Sequence, residues 1–181
     1  VTRDDHEALN WYGKAAAQGN VDAQKRLGAM YEFAHGVTQD YPEAFNWYRQ
    51  AAEQGDAAAQ ASLGYMYEAG RGVTRDYHEA LNWYHKAAEQ ENSDANLALG
   101  LMYQYGLGVT QDDHEALNWF GKAAAQGDAY AQYRIGLMYE AGRGVTRDDR
   151  EALNWYRKAA EQKLAEAQLK VLQLTKLDQL Q

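Results

Sequence analysis

Five tryptophans stand at one interval: Trp11, Trp47, Trp83, Trp119 and Trp155, each 36 residues from the last. A fixed period of this size decides the architecture before any local reading, because each copy must be one supersecondary unit repeated along the chain. Cutting at Val1, Val37, Val73, Val109 and Val145 gives blocks 1–36, 37–72, 73–108, 109–144 and 145–181, with no insertion. Blocks one and four differ at only 11 of 36 positions, so the chain records internal duplication or a consensus pattern.

Each block carries two helical signals. The first runs from about Asp4 to Gln18. Asp4 and Glu7 fit a capping box, with Asp in the Ser/Thr place, and acids in the first turn suit the helix dipole. Pro42 shares the column of His6, inside that turn, where a missing N–H does no harm. Ala8, Leu9, Trp11, Tyr12, Ala15 and Ala16 form a wide apolar stripe. Gly19, Gly55 and Gly127 follow as natural C′ residues. The second helix runs from about Asn20 to Phe33, with Ala23, Leu27, Met30 and Tyr31 on one face. It ends at Gly70-Arg71-Gly72, Gly106-Leu107-Gly108 and Gly142-Arg143-Gly144, and at Ala34-His35-Gly36 in block one. Two glycines around one residue permit a tight reversal.

One helix pair cannot hide both stripes, whereas stacked pairs can, so the expected fold is an all-α, α/α solenoid of 36-residue helix-turn-helix repeats. The small alanines Ala15, Ala16 and Ala23 allow close backbone approach. The tryptophans are large enough to bridge helices and set the stacking distance. Gly28, Gly64, Gly100 and Gly136 lie inside the second helix, where glycine costs about 1 kcal/mol against alanine. Four repetitions of that cost predict that something bulky presses on each.

Composition narrows the chemistry. Eighteen basic against 26 acidic residues leave a net charge of −8, which argues against a nucleic-acid surface. No apolar run is long enough to insert in a membrane. Cysteine is absent, which removes disulfides, cysteine-ligated zinc and a thiol nucleophile. Val1 opens the chain, which reads as a mature form or an excised piece with no targeting region in view.

Candidate chemical motifs do not assemble. His6, His78 and His114 share a column that Pro42 and Arg150 interrupt. Equivalent helices lie ~10 Å apart, against the ~2 Å of a zinc–nitrogen bond. A solvated position in the first helical turn accounts for that column. His35 and His85 are single occurrences. The clusters Asp4-Asp5-Glu7 and Asp112-Asp113-Glu115 lack the EF-hand glycine and distal glutamate, and helix capping explains them. No second carboxylate in a pocket makes a glycosidase pair. The Gly-Arg-Gly turns lack the Lys-Ser/Thr of a phosphate loop. No catalytic residue, metal site or cofactor is therefore expected.

Ala59, Leu63-Gly64, Tyr67, Gly70, Gly72-Val73, Asp76, Ala80, Trp83-Tyr84 and Lys86-Ala87-Ala88 stand in the order and spacing of one family pattern. On these residues the chain resembles the Sel1-like repeats, relatives of the tetratricopeptide repeats. The ordinary tetratricopeptide pattern fits less well, since it has a shorter period and no glycine-rich turn. The resemblance implies a right-handed superhelix serving as an interaction scaffold or adaptor, in bacteria often in envelope, signalling or host-contact settings. The chain departs from the pattern in three ways. It opens on the family's second helix. It lacks the disulfide that some secreted members carry in each repeat. In 163–181 it loses the turn and the aromatics, with Leu172 in the glycine column and Thr175 in the tyrosine column. Leu164, Leu169, Val171, Leu172, Leu174, Leu177 and Leu180 surround that segment, as in a capping helix or a self-association surface.

Where the blocks disagree, they disagree on one side of the second helix. Block one has Asp22, Lys25, Arg26, Ala29 and Phe33; block two has Ala58, Ala61, Ser62, Tyr65 and Ala69. Block three has Asp94, Leu97, Ala98, Leu101 and Tyr105; block four has Tyr130, Tyr133, Arg134, Leu137 and Ala141. The resemblance places this helix on the concave side. The expected partner-binding residues are then Arg26, Phe33, Tyr65, Leu97, Leu101, Tyr105, Tyr130, Tyr133 and Arg134, rich in the types found at binding hot spots. The expected role is capture of a protein or peptide segment without catalysis. The alternatives are a spacer that self-associates through Leu172 and Leu174 onto the open first block, and a regulatory module of a cell-envelope enzyme.

Overall fold

The computed structural model describes the backbone of residues 3–178 and the side chains of residues 7–176. The expected capping by Asp4, the ring of His6, and Leu177 and Leu180 lie outside the described side chains. Among the described residues ten helices follow one another: α1 (Arg3–Ala17), α2 (Val21–Phe33), α3 (Tyr41–Glu53), α4 (Ala57–Ala69), α5 (Tyr77–Ala88), α6 (Ser93–Tyr105), α7 (Asp113–Ala125), α8 (Ala129–Ala141), α9 (Asp149–Glu161) and α10 (Ala165–Asp178). No strand occurs among the described residues. Packing divides the helices between Asn92 and Ser93 into two compact units. In the first, α2 packs on α1 and α3, and α4 on α3 and α5. In the second, α7 packs on α6 and α8, and α9 on α8 and α10.

Caps fix where the helices begin and end. The carboxylates of Asp40, Asp76, Asp112 and Asp148 accept the Glu43, Glu79, Glu115 and Glu151 N–H groups at 2.9–3.1 Å. Asn20, Asp56 and Asp128 do the same for α2, α4 and α8. These bonds satisfy donors that a helix start leaves open. Gly19, Gly55 and Gly127 hold left-handed φ angles of +84°, +94° and +90°, as their C′ assignment requires.

The buried centre of each unit is alanine-rich. Ala44, Ala51 and Ala59 pack with Leu63 and Met66 in the first unit; Ala116, Ala123 and Ala131 pack with Phe120 and Met138 in the second. The mid-helix glycines explain how neighbours come so close. A Cβ on Gly28 or Gly64 would lie 2.7 Å from the ring of Tyr48 or Tyr84; on Gly100 and Gly136 it would lie 2.5 and 2.6 Å from Phe120 and Tyr156. The bulky group is thus the aromatic that follows each tryptophan. Trp47, Trp83 and Trp155 are half-buried and reach back to an earlier cluster, as Trp47 does to Ala16, Ala23 and Leu27, whereas Trp11 is exposed. At Trp83 and Trp155 a lysine three residues on covers the ring, with Lys86 Nζ and Lys158 Nζ each 3.9 Å from the ring centre; at Trp47 that place is Gln50.

Candidate functional site

The geometry of the candidate faces begins with a column at the end of the second helices, buried at Glu32 and Gln104 and half-buried at Glu68 and Glu140. Tyr48 donates its hydroxyl hydrogen to the Glu32 carboxylate at 3.0 Å, Tyr84 to Glu68 at 2.7 Å, and Tyr156 to Glu140. Burial and the facing carboxylate push the Tyr48 and Tyr156 hydroxyls well above the ordinary phenol range. At the third position both partners change together. Phe120 has no hydroxyl to give, and Gln104 stands in place of the glutamate. A carboxylate there would have no phenol hydroxyl to face, unlike its counterparts at Glu32, Glu68 and Glu140.

Basic side chains meet this column from the next second helix. Lys170 Nζ reaches Glu140 at 2.8 Å. Arg134, one block earlier in the same column, donates instead to the Gln104 side-chain oxygen and, at 2.6 Å, to the Tyr105 hydroxyl. Its guanidinium lies 5.4 Å from the Tyr105 ring centre and 5.9 Å from those of Phe120 and Tyr130. Gln104, Tyr105, Arg134, Leu137, Met138 and Arg143 border a pocket of about 240 Å³.

The nine residues expected to bind a partner are placed unequally. Arg26, Phe33, Tyr65, Tyr105 and Tyr130 are exposed; Leu97, Leu101, Tyr133 and Arg134 are half-buried. Leu97 and Leu101 pack on the cluster of Ala116, Phe120 and Ile135. The Tyr133 ring stands 5.6 Å from that of Tyr156 and 6.1 Å from Tyr130. In the first unit Arg26 lies over Tyr12, Phe33 is beside His35, and Tyr65 carries the Arg71 guanidinium 5.0 Å from its ring centre. Each of those three meets a different neighbour. In the second unit Tyr105, Tyr130 and Arg134 come together.

Three participants lie outside the expected set. Arg71, from a Gly-Arg-Gly turn, covers Tyr65 and Tyr41 and stands 3.6 Å from Glu32. Arg143, its counterpart in the second unit, pairs with Asp113 at 3.4 Å. Gln104 is the third. The turn column reads His35, Arg71, Leu107, Arg143, so it varies as the helix columns do, and a comparison of blocks extended into the turns finds it.

Three solved structures are similar to the chain. A protective antigen of uropathogenic Escherichia coli strains, with an SLR fold, is 43% identical over 90% of this chain and 35% of its own, with a TM-score of 0.85. A Sel1 repeat protein from Oxalobacter formigenes is 39% identical over 90% of this chain and 66% of its own, with a TM-score of 0.86. An immunity protein from Pseudomonas aeruginosa is 27% identical over 88% of this chain and 59% of its own, with a TM-score of 0.61. The chain thus spans about a third of the first and about two thirds of the second. No curated protein matches it. The Sel1 repeat pattern matches residues 1–20, 21–56, 57–92, 93–128 and 129–164, a frame in which each full copy opens on an even-numbered helix and closes on the odd-numbered helix after it. With that pattern met from end to end of residues 1–164, and an all-α repeat fold shared with solved Sel1 proteins, the chain belongs to the Sel1 repeat family.

Proposed function

We propose that the chain is a non-catalytic protein-interaction scaffold that takes a protein segment on the outward faces of α2 and α4 in one unit and of α6 and α8 in the other. Sel1 repeats generally mediate protein–protein interaction, which sets the class. One observation supports the location. Seven large hydrophobic side chains are exposed among the described residues, and five of them, Phe33, Tyr65, Tyr105, Tyr130 and Leu169, stand in the variable columns of the second helices. A repeat scaffold preserves what stacking needs and leaves free what a partner reads. Exposed aromatics supply contact area at little conformational cost, which suits them as anchors.

The test is a pull-down from extracts of the source cell, read by mass spectrometry. Exchanging Tyr65, Tyr105 and Tyr130 for alanine together should remove the captured proteins while the helical circular dichroism signal is kept. Retention of every captured protein by the triple variant refutes the assignment. A self-associating spacer through Leu172 and Leu174 is the second reading; the exposure of Leu172 favours it, whereas Leu174 is half-buried.

A further inference from the structure

We propose that the pocket around Arg134 is a recognition site for an acidic side chain, Asp or Glu, carried inside a partner's apolar segment. The inference rests on the scaffold reading and adds a ligand chemistry to one of its faces. Elsewhere the column pairs its cation with a carboxylate, as Lys170 does with Glu140 and Arg71 with Glu32. At Arg134 the facing residue is the neutral Gln104. A guanidinium carries five N–H donors and no acceptor. The acceptors given to Arg134 are a Gln104 oxygen and the Tyr105 hydroxyl, both on Nη2, and its Nε is buried without an acceptor. Arg134 therefore holds a charge that no carboxylate among the described residues neutralises by an ion pair.

Its surroundings add to this. Arg143, on the same pocket, is already matched by Asp113, so Arg134 carries the free positive charge. Three aromatic ring centres lie within 6 Å of the guanidinium, and such packing limits the side-chain freedom lost on binding. The Tyr105 hydroxyl accepts from Arg134 and keeps its own hydrogen to donate to a bound oxygen. Leu137 and Met138 make an apolar wall for the stem of a Glu or for its neighbours. Exposed Tyr105 and Tyr130 both lie against Arg134, on consecutive second helices, which suits a segment that continues in both directions past the acid rather than one that ends there.

The experiment selects random twelve-residue peptides, displayed with both ends blocked, on the intact chain, and then measures dissociation constants for synthetic copies. Selected peptides should be enriched in Asp or Glu. Changing the acid to its amide should weaken binding at least about tenfold on the wild-type chain and leave it almost unchanged on Arg134→Gln. Gln104→Glu, which provides an internal carboxylate, should weaken the acidic peptides by a similar factor and leave the amide forms unaffected. Binders that need Tyr105 and Tyr130 but show no acid dependence overturn the Arg134 assignment alone. Binding restricted to peptides with a free C-terminal carboxylate overturns it too. Binders indifferent to Tyr65, Tyr105 and Tyr130, or no binders at all, overturn the scaffold faces with it.

Discussion

Ala34 closes α2 with a φ of +58°, in the left-handed region, at the position where α4 and α8 have Gly70 and Gly142. An L side chain there meets its own backbone, at a cost of about 1 kcal/mol. Ala34→Gly relieves that cost and adds some unfolded-state entropy, for a net gain of about 0.5 kcal/mol. Chemical denaturation of the two proteins measures it, and a loss of stability shows the turn to be unstrained. Glu91 and Lys163 are in the same condition, with φ of +58° and +67° at the column of Gly19, Gly55 and Gly127. The glycines made that column recognisable as a helix end. What they could not reveal is that the chain keeps the same turn at Glu91 and Lys163, because the packing of the helices on either side dictates the backbone there.

Between elements, the tyrosine–glutamate pair is the polar contact that ties a second helix to the helix after it at three of four positions. Tyr48→Phe leaves the buried Glu32 carboxylate without its donor and costs about 1–3 kcal/mol. Adding Glu32→Gln copies the Phe120–Gln104 solution and recovers most of that loss. The same pair contributes to the alkaline limit, together with the likewise raised Tyr156. The folded-state pKa of Tyr48 is raised above its unfolded value of about 10, so its contribution is complete below that pH and is lost as pH rises beyond it. Stability measured between pH 8 and 12 should fall less steeply in the double variant than in the wild type, and equal slopes would assign the alkaline loss to other groups. Helix number, caps and repeat length were all legible, because period and capping residues are local. The column of Glu32, Glu68, Gln104 and Glu140 was not, because a glutamate near a helix end reads as solvated until a tyrosine 16 residues on covers it. For the same reason Leu97, Leu101 and Tyr133 shared a wheel face with Tyr65 and Tyr130 yet came to rest half-buried. A helical wheel records direction, and the adjoining helix decides depth.

For the whole molecule, the question is whether copies can join as repeats do. Repeat-to-repeat stacking is heterologous, and a heterologous contact that does not close grows without limit. In this chain it would seat the Tyr12 ring of one copy on the glycine column of another, as Tyr48 sits on Gly28 and Tyr156 on Gly136. On α10 that column is Leu172. Where a single Cβ would already come within 2.5–2.7 Å of the ring, a leucine fills the slot the ring needs. Leu172 is 58% exposed, so its apolar surface invites contact while its bulk forbids the repeat geometry. The wild-type chain should therefore show no mass above a dimer in light scattering across a wide concentration series. Leu172→Gly reopens the slot, costs about 1 kcal/mol of helix stability, and should add species that lengthen with concentration. Open-ended growth by the wild type refutes the steric argument. A glycine variant that stays helical yet never grows does so as well, because it shows that something other than the side chain at this position limits the stack.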